Sequence, residues 1–450
     1  MHGPAIAAVH QSHCNARARV VTARTLILGQ TLTFTDDPFK VPVAEAALHE
    51  PRGGVLVEDG LVAATGPADD LLRAHPDATV TDMGSRLLTA GFVDAHAHYP
   101  QTAIIASWGK RLVDWLNTYT FPEEARFFDT EFARETAERY LDLTLMNGTT
   151  TVCSYCTIHP ESVEAFFVEA RMRGLRAVAG KTCMDQNAPE DLRDTAQSSH
   201  DDSKRLLQRW HGVDRLGYAI TPRFSPTSTP EQLEALGALW AEHPECLMQT
   251  HLSEQTDEIE WALSLHPDAR DYLETYEMHG LVGEGALFGH AIHLTERECA
   301  RISEAGASIA HCPTSNTFIG SGLLDLVGLA ACGVWTALAT DTGGGSSFSM
   351  LRTMAAAYEV AQLRGAALHP AQLYWLATAG SARAMRLDEK IGRLAPGFEA
   401  DLVALDLAST PAIAQRADRA EDIWEALFPT IMMGDDRAVA QVWVAGRTTR

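Results

Sequence analysis

Basic residues are scarce. Lys and Arg total 36 against 59 Asp and Glu in 450 residues, for a formal net charge of -23. Nucleic acids and anionic membranes are bound through clustered Lys or Arg, so neither is an expected partner. Long apolar runs are missing too. No stretch approaches the roughly 20 residues that span a bilayer. The opening MHGPAIAAVHQSHCNARARVV lacks the basic start and hydrophobic stretch of a secretory signal, and residues 1–24 read as an N-terminal extension. The eight Cys show no regular spacing, which argues against a disulfide framework. Cys153, Cys183 and Cys246 sit in apolar stretches and read as buried, reduced thiols of a cytoplasmic protein. Short-period repeats and low-complexity segments are absent. Gly343-Gly344-Gly345 is not followed by Gly-Lys-Ser/Thr, so it reads as a flexible turn rather than a phosphate loop.

What is present is an ordinary globular balance, 46% hydrophobic and 21% charged, in a chain longer than one core usually serves. Two structural units are expected. Eight short apolar runs, several rich in β-branched residues, cover 85–98, 149–155, 176–185, 216–224, 246–254, 286–294, 308–316 and 335–341. Helical segments lie between them. One spans 130–147 and stops at Asn147-Gly148; another spans 230–242 with Thr229 as cap and Pro230 in its first turn. Eightfold strand–helix alternation predicts an α/β chain with a (β/α)8 barrel over 86–392; an open doubly wound sheet is the alternative from pattern alone. The flanks differ. Segments 25–35 and 55–65, the latter with a turn at Glu58-Asp59-Gly60, pair in pattern with 401–407 and 440–445. Neither flank could bury its apolar face alone. Both ends are therefore expected to meet in one small β-sandwich domain, 25–85 with 393–450.

His96 and His98, in GFVDAHAHYPQ, share one face of a strand because side chains alternate. Alone, His-x-His is equally a polar strand end. His251 in MQTHLSE, His290 in LFGHAIHLT and Asp341 in LATDTGGG close or enter three further runs. Active sites of such barrels gather at the C-terminal strand ends, so these five residues are candidate metal ligands on one rim. Imidazoles with a carboxylate suit zinc, and iron also. His293, three residues past His290, falls on the opposite face and reads as a loop residue. His311 reads as a hydrogen-bonding neighbour of the ligands. Glu254, three residues after His251, is a candidate proton shuttle, against the plainer reading of an acid at a helix start. Cys153-Ser-Tyr-Cys156 with His159 reverses the order of cytidine-type zinc deaminases and is set aside.

At these residues, and at WLNTYTFPEEARF from Trp115, GTTTVCSYCTIHP from Gly148, AGKTCMD from Ala179, ITPRFSPTS from Ile220 and MGDDR from Met433, the sequence resembles the guanine deaminases of the amidohydrolase superfamily. The resemblance runs from about Val57 to the C-terminus. It implies one zinc per chain held by His96, His98, His251 and Asp341, with His290 either joining them or contacting water or substrate. It implies Gln101, Arg223 and Phe224 as purine-binding residues, Arg223 offering its planar fork to the purine carbonyl. It implies hydrolysis of guanine to xanthine and ammonia by a zinc-activated hydroxide, with Asp341 taking the water's proton and Glu254 protonating the ring nitrogen and the departing amine. A homodimer is implied as well. The competing expectations are a deaminase or chlorohydrolase acting on another amino-heterocycle, such as 8-oxoguanine or a triazine, and a non-catalytic relative.

Overall fold

The computed structural model describes residues 24–109 and 111–449. The expected N-terminal extension, apart from Arg24, lies outside the described residues. Sixteen strands are formed among the described residues. The first four are β1 (Thr25–Phe34), β2 (Ala47–Glu58), β3 (Leu61–Pro67) and β4 (Thr79–Ala90). The central ones are β5 (Phe92–His98), β6 (Thr149–Tyr155), β7 (Arg176–Gly180), β8 (Thr182–Cys183), β9 (Leu216–Pro222), β10 (Leu247–Leu252), β11 (Ala286–His290), β12 (Ser308–His311) and β13 (Trp335–Leu338). The last are β14 (Leu402–Leu405), β15 (Val439–Val444) and β16 (Arg447–Thr448).

Strands β5, β6, β7 and β9–β13 run in that order as a parallel sheet, β8 pairing with β9. Each corresponds to one predicted run. The sheet curls until its edges nearly close. Across the seam, Asp341 N–H donates to His96 O (2.9 Å) and His98 N–H to Thr342 O (3.2 Å). Buried Asp94 on β5 accepts from the Thr340 N–H (2.9 Å) and from the Thr340 hydroxyl. The barrel is filled rather than hollow. Val93, Ala95, Cys153, Val178, Ala219, Leu247, Leu287, Ala310 and Ala337 form a buried cluster drawn from all eight strands. The helices form where the pattern indicates: Thr130–Met146 ends at Asn147, and Pro230–Glu242 is capped by Thr229, whose hydroxyl accepts from Gln232 N–H.

The chain ends form one seven-stranded sheet, β16-β15-β14-β4-β1-β2-β3. It curls on itself. Ala400 N–H donates to Gly60 O and Ala400 O accepts from Gly446 N–H, both at 2.8 Å, which joins the β2–β3 turn to the β15–β16 turn. Inside, Ile27, Val55, Val62, Leu88, Leu402, Ala404 and Trp443 share one buried cluster. The run at 85–98 is two strands: β4 belongs to this sheet, pairing with β1 and β14, and only β5 enters the barrel.

Candidate active site

The predicted side chains meet at the C-terminal rim of the barrel. β5 delivers His96 and His98, β10 delivers His251, and β11 ends at His290. Arg223 follows β9, Glu254 follows β10 and Asp341 follows β13. Three of these exits use left-handed backbone: Ser253 (φ 48°), His290 (φ 66°) and Asp341 (φ 48°). Such conformations persist where the surroundings hold them, and they cluster at functional sites.

His98 Nε2 stands 3.2 Å from His251 Nε2. Asp341 Oδ1 stands 3.6 Å from His96 Nε2 and 3.5 Å from His98 Nε2. Four ligands in tetrahedral array at about 2.1 Å from an ion lie about 3.4 Å apart, so these separations fit one. Electrostatics agree. Burial, and then the neighbouring imidazoles, holds His96, His98 and His251 well below the usual histidine range. His251 donates Nδ1–H to Arg223 O at 2.7 Å, which leaves the Nε2 lone pair facing His98. Both nitrogens of buried His96 lack a hydrogen-bond partner. An unpaired buried acceptor is costly, and a cation at the ring's lone-pair nitrogen would offset that cost. Space for the His96 ring is made by β11: a Cβ on Gly289 would stand 2.6 Å from His96 Cε1. Cys312, which the sequence pattern did not single out, joins His96, His290 and Asp341 in a second group of four whose donor atoms lie within 4.8 Å of one another.

Beside the imidazoles lie two buried carboxyls. Desolvation pushes Glu254 and Asp341 each up to about 7. Glu254 does not serve a helix start: the following helix, Thr256–Leu265, is capped by Gln255 and Glu258. Instead its Oε1 accepts from Ser321 Oγ–H (2.8 Å), and its Oε2 lies 3.6 Å from His290 Nε2. His290 is oriented by Asn316, whose Oδ1 accepts from Nδ1–H at 2.8 Å, and its Nε2 is 3.8 Å from Asp341 Oδ2.

These groups open into a narrow cleft walled by Leu112, Trp115, Leu116, Phe224 and Ile319 with Gln101, Arg223 and Gly344. Apolar walls with few directed polar groups characterise small-molecule sites. Part of the wall comes from an insert after β5 that contains a π-helical turn, Leu116–Thr120, a feature frequent at functional sites. The Gly343–Gly345 turn is tight rather than flexible. Gly343 has φ 124°, and a Cβ there would lie 2.1 Å from Gln101 Oε1.

All the residues predicted for metal, catalysis and substrate are therefore brought together, Phe224 as an apolar wall set edge-on to Trp261. His293 is a loop residue bonded to Ser321 O at 2.8 Å. His311 is buried with Nδ1 unpartnered, and burial lowers it to about 3. Cys153 and Cys156 are free thiols pushed upward by burial, and the Cys153 S–H donates to Gln249 Oε1. Sequence reasoning missed Glu124, buried behind the cleft wall, which accepts from the lining residues Arg223 and Gln101. Nothing in TFPEE distinguishes it from Glu123, which pairs with Arg126.

Comparison with known proteins places this geometry. The profile of the amidohydrolase family matches residues 87–449. The guanine deaminase of Escherichia coli (strain K12) is 42% identical over 413 residues, covering 92% of this chain and 94% of that protein. The solved structure of the E. coli guanine deaminase superposes with a TM-score of 0.92 at 41% identity, over 95% of this chain and 99% of that one. A guanine deaminase from C. acetobutylicum, solved with guanine bound in its active site, gives a TM-score of 0.86 at 26% identity, over 95% and 100%.

Proposed function

The chain belongs to the amidohydrolase family, and from that premise we propose that it hydrolyses guanine to xanthine and ammonia in this cleft. His96, His98, His251 and Asp341 would hold one zinc ion, and their convergence beside Glu254 is the observation that carries the reading. The bound ion supplies a water acidified toward a pKa of ~7. Asp341 accepts the proton of the attacking water, while Glu254 holds its own proton at Oε2. Glu254 delivers that proton to the ring nitrogen beside the amine-bearing carbon, and it then assists the amine as it leaves. A carboxyl raised to about 7 by burial is matched to both directions of transfer at neutral pH. Asp341, whose Oδ2 lies 3.8 Å from His290 Nε2, returns the proton it accepted to the departing amine while Glu254 recovers one from the adduct hydroxyl; His290 contacts the water or substrate, and direct ligation by His290 is the alternative. Arg223 donates to the purine carbonyl, Gln101 accepts from a ring or amine N–H, and Phe224 and Trp115 bound the flat base.

A homodimer and a cytoplasmic location complete the proposal; light scattering on the purified protein decides the first. Among the described residues no helix is long and apolar enough to cross a membrane. The deciding experiment measures ammonia released from guanine, 8-oxoguanine, adenine, cytosine and triazines, with metal analysis of the same sample. Preference for guanine with about one equivalent of zinc is expected. Preference for a triazine would replace the substrate. Iron in place of zinc would change the ion alone. Full activity with less than about half an equivalent of any transition metal would remove the metal from the reaction.

A further inference from the structure

We propose that Glu124 is the positioning residue for recognition of the base, fixing which atoms of Arg223 and Gln101 face it. The inference rests on the reading of the cleft as a guanine site and deepens it. Glu124 ends the short helix Phe121–Glu124 in the insert over the barrel mouth. Its side chain is 1% exposed, and that of Arg223 is 4% exposed. Arg223 donates Nη1–H to Glu124 Oε2 (2.7 Å) and Nη2–H to Glu124 Oε1 (3.2 Å), a two-point grip. Gln101 donates Nε2–H to the same Oε1 at 3.0 Å.

The chemistry of these bonds sets the polarity of the cleft. An ionised carboxylate only accepts. It therefore forces the carboxamide of Gln101 to turn its amide group inward, toward Glu124, and to keep its oxygen as a free acceptor. That oxygen lies against Gly343, where no side chain fits. Of the five guanidinium N–H groups of Arg223, two are committed to Glu124 and three remain. Both residues line the cleft. The outcome is a fixed donor from Arg223 beside a fixed acceptor from Gln101. A 6-oxopurine meets that pair with a carbonyl oxygen and a ring or amine N–H. A purine without the 6-oxygen leaves the buried donor unpaired, and unpaired buried groups are the strongest source of discrimination. Arg223 also links the two halves of the site, because its carbonyl oxygen accepts the Nδ1–H of His251.

The test compares guanine with 2-aminopurine, which carries the same amine on the same ring carbon but lacks the 6-oxygen. Where turnover of 2-aminopurine is slow, the two are compared as competing ligands. In Glu124→Gln the carboxamide of Gln101 is free to flip and Arg223 loses its ionic anchor. The guanine-to-2-aminopurine ratio of kcat/KM is expected to fall about tenfold or more, mainly through the KM for guanine, with kcat within about threefold and zinc retained. Removing one partner of a buried ion pair can cost the fold, so Glu124→Asp, which keeps the charge but withdraws it by one methylene, is measured in parallel and is expected to lower the ratio in the same sense. A lowered melting temperature with the ratio intact in either variant makes Glu124 a structural ion-pair residue and overturns the proposal. Wild-type protein that releases no ammonia from guanine overturns the reaction itself; an active wild type with unchanged variant ratios overturns only the assignment of Glu124.

Discussion

At the scale of single residues, burial sets the chemistry of the acids. Glu254 is the sharpest case. Replacement by Gln keeps its size and its Ser321 contact, but Gln neither gives nor takes a proton near neutrality. Turnover of guanine is expected to fall by roughly 10² to 10⁴ with zinc content unchanged; retained activity in the zinc-loaded variant would move the shuttle to another group. Glu258 tests the energetics of the same neighbourhood. Wholly buried, it accepts from the N–H groups of Glu254 and Gln255 and from the Tyr272 hydroxyl, and desolvation pushes it up to about 7. Its folded pKa thus exceeds its unfolded value near ~4.3. The native state binds the proton more tightly, so the stability it contributes is present in full below the unfolded value and is lost as pH rises through about 7. Glu258→Gln removes that slope. Between pH 5 and 8 the variant is expected to gain about 2–3 kcal/mol on the wild type, whatever constant offset it carries; unfolding curves that stay parallel across that range would show the carboxyl ionised throughout. The proposed ligand residues were legible in the sequence because strand alternation and strand-end position assign a direction to each side chain. Glu124 and Glu258 were not, since their partners, Arg223 and Tyr272, are brought to them only by the fold.

At the scale of elements, the strands were legible from their apolar runs and their convergence at the rim from the barrel pattern, but the division of one run was not. In the 85–98 run a lone glycine, Gly91, is all that marks where β4 leaves the end sheet and β5 enters the barrel, so its division is settled by the pairing partners. The insert after β5 has no strong period, and nothing in its sequence marks the π-helical turn at Leu116–Thr120. Gly289 shows what strand packing demands. One residue before the end of β11, it would read as a weak point of the strand, yet the His96 ring occupies the place of its missing side chain. Gly289→Ala is expected to push that ring off its position, with loss of most bound metal and activity. A variant that keeps about one equivalent of metal at wild-type turnover would show that the ring has room to yield. Sequence inspection offers no signal for this, because the obstruction lies on β5, far from β11 in the sequence.

At the scale of the molecule, the two chain ends could be paired by the argument that neither buries its apolar face alone, and the structure adds the clamp between units: Arg176 and Arg215, beside the starts of β7 and β9, both bind Glu399, and Arg215 also binds buried Asp401. The barrel has its own weak line. Seven strand pairs are joined by ladders, whereas β5 and β13 meet through a few bonds around Asp94, His96, His98 and Asp341. The proposed ligands straddle this line, with His96 and His98 on one side and Asp341 on the other, and His251 across the mouth. A bound ion therefore closes the barrel as well as serving chemistry, and ligands that bind only the native state stabilise it by mass action. Stripping the metal with a chelator is expected to lower the melting temperature, and to do so unevenly. Amide exchange should rise first at His98 and Asp341, whose N–H groups bridge the seam, while Val178 on β7 and Ala219 on β9, in the laddered half, keep their protection. Re-addition of zinc should restore both. Equal acceleration on the two sides would mean that the ion stabilises the barrel globally and that the seam is held by packing against Ala377 and the helix that follows it, Ala379–Ala384; no acceleration at all in fully stripped protein would mean that the four donors are prearranged without the ion.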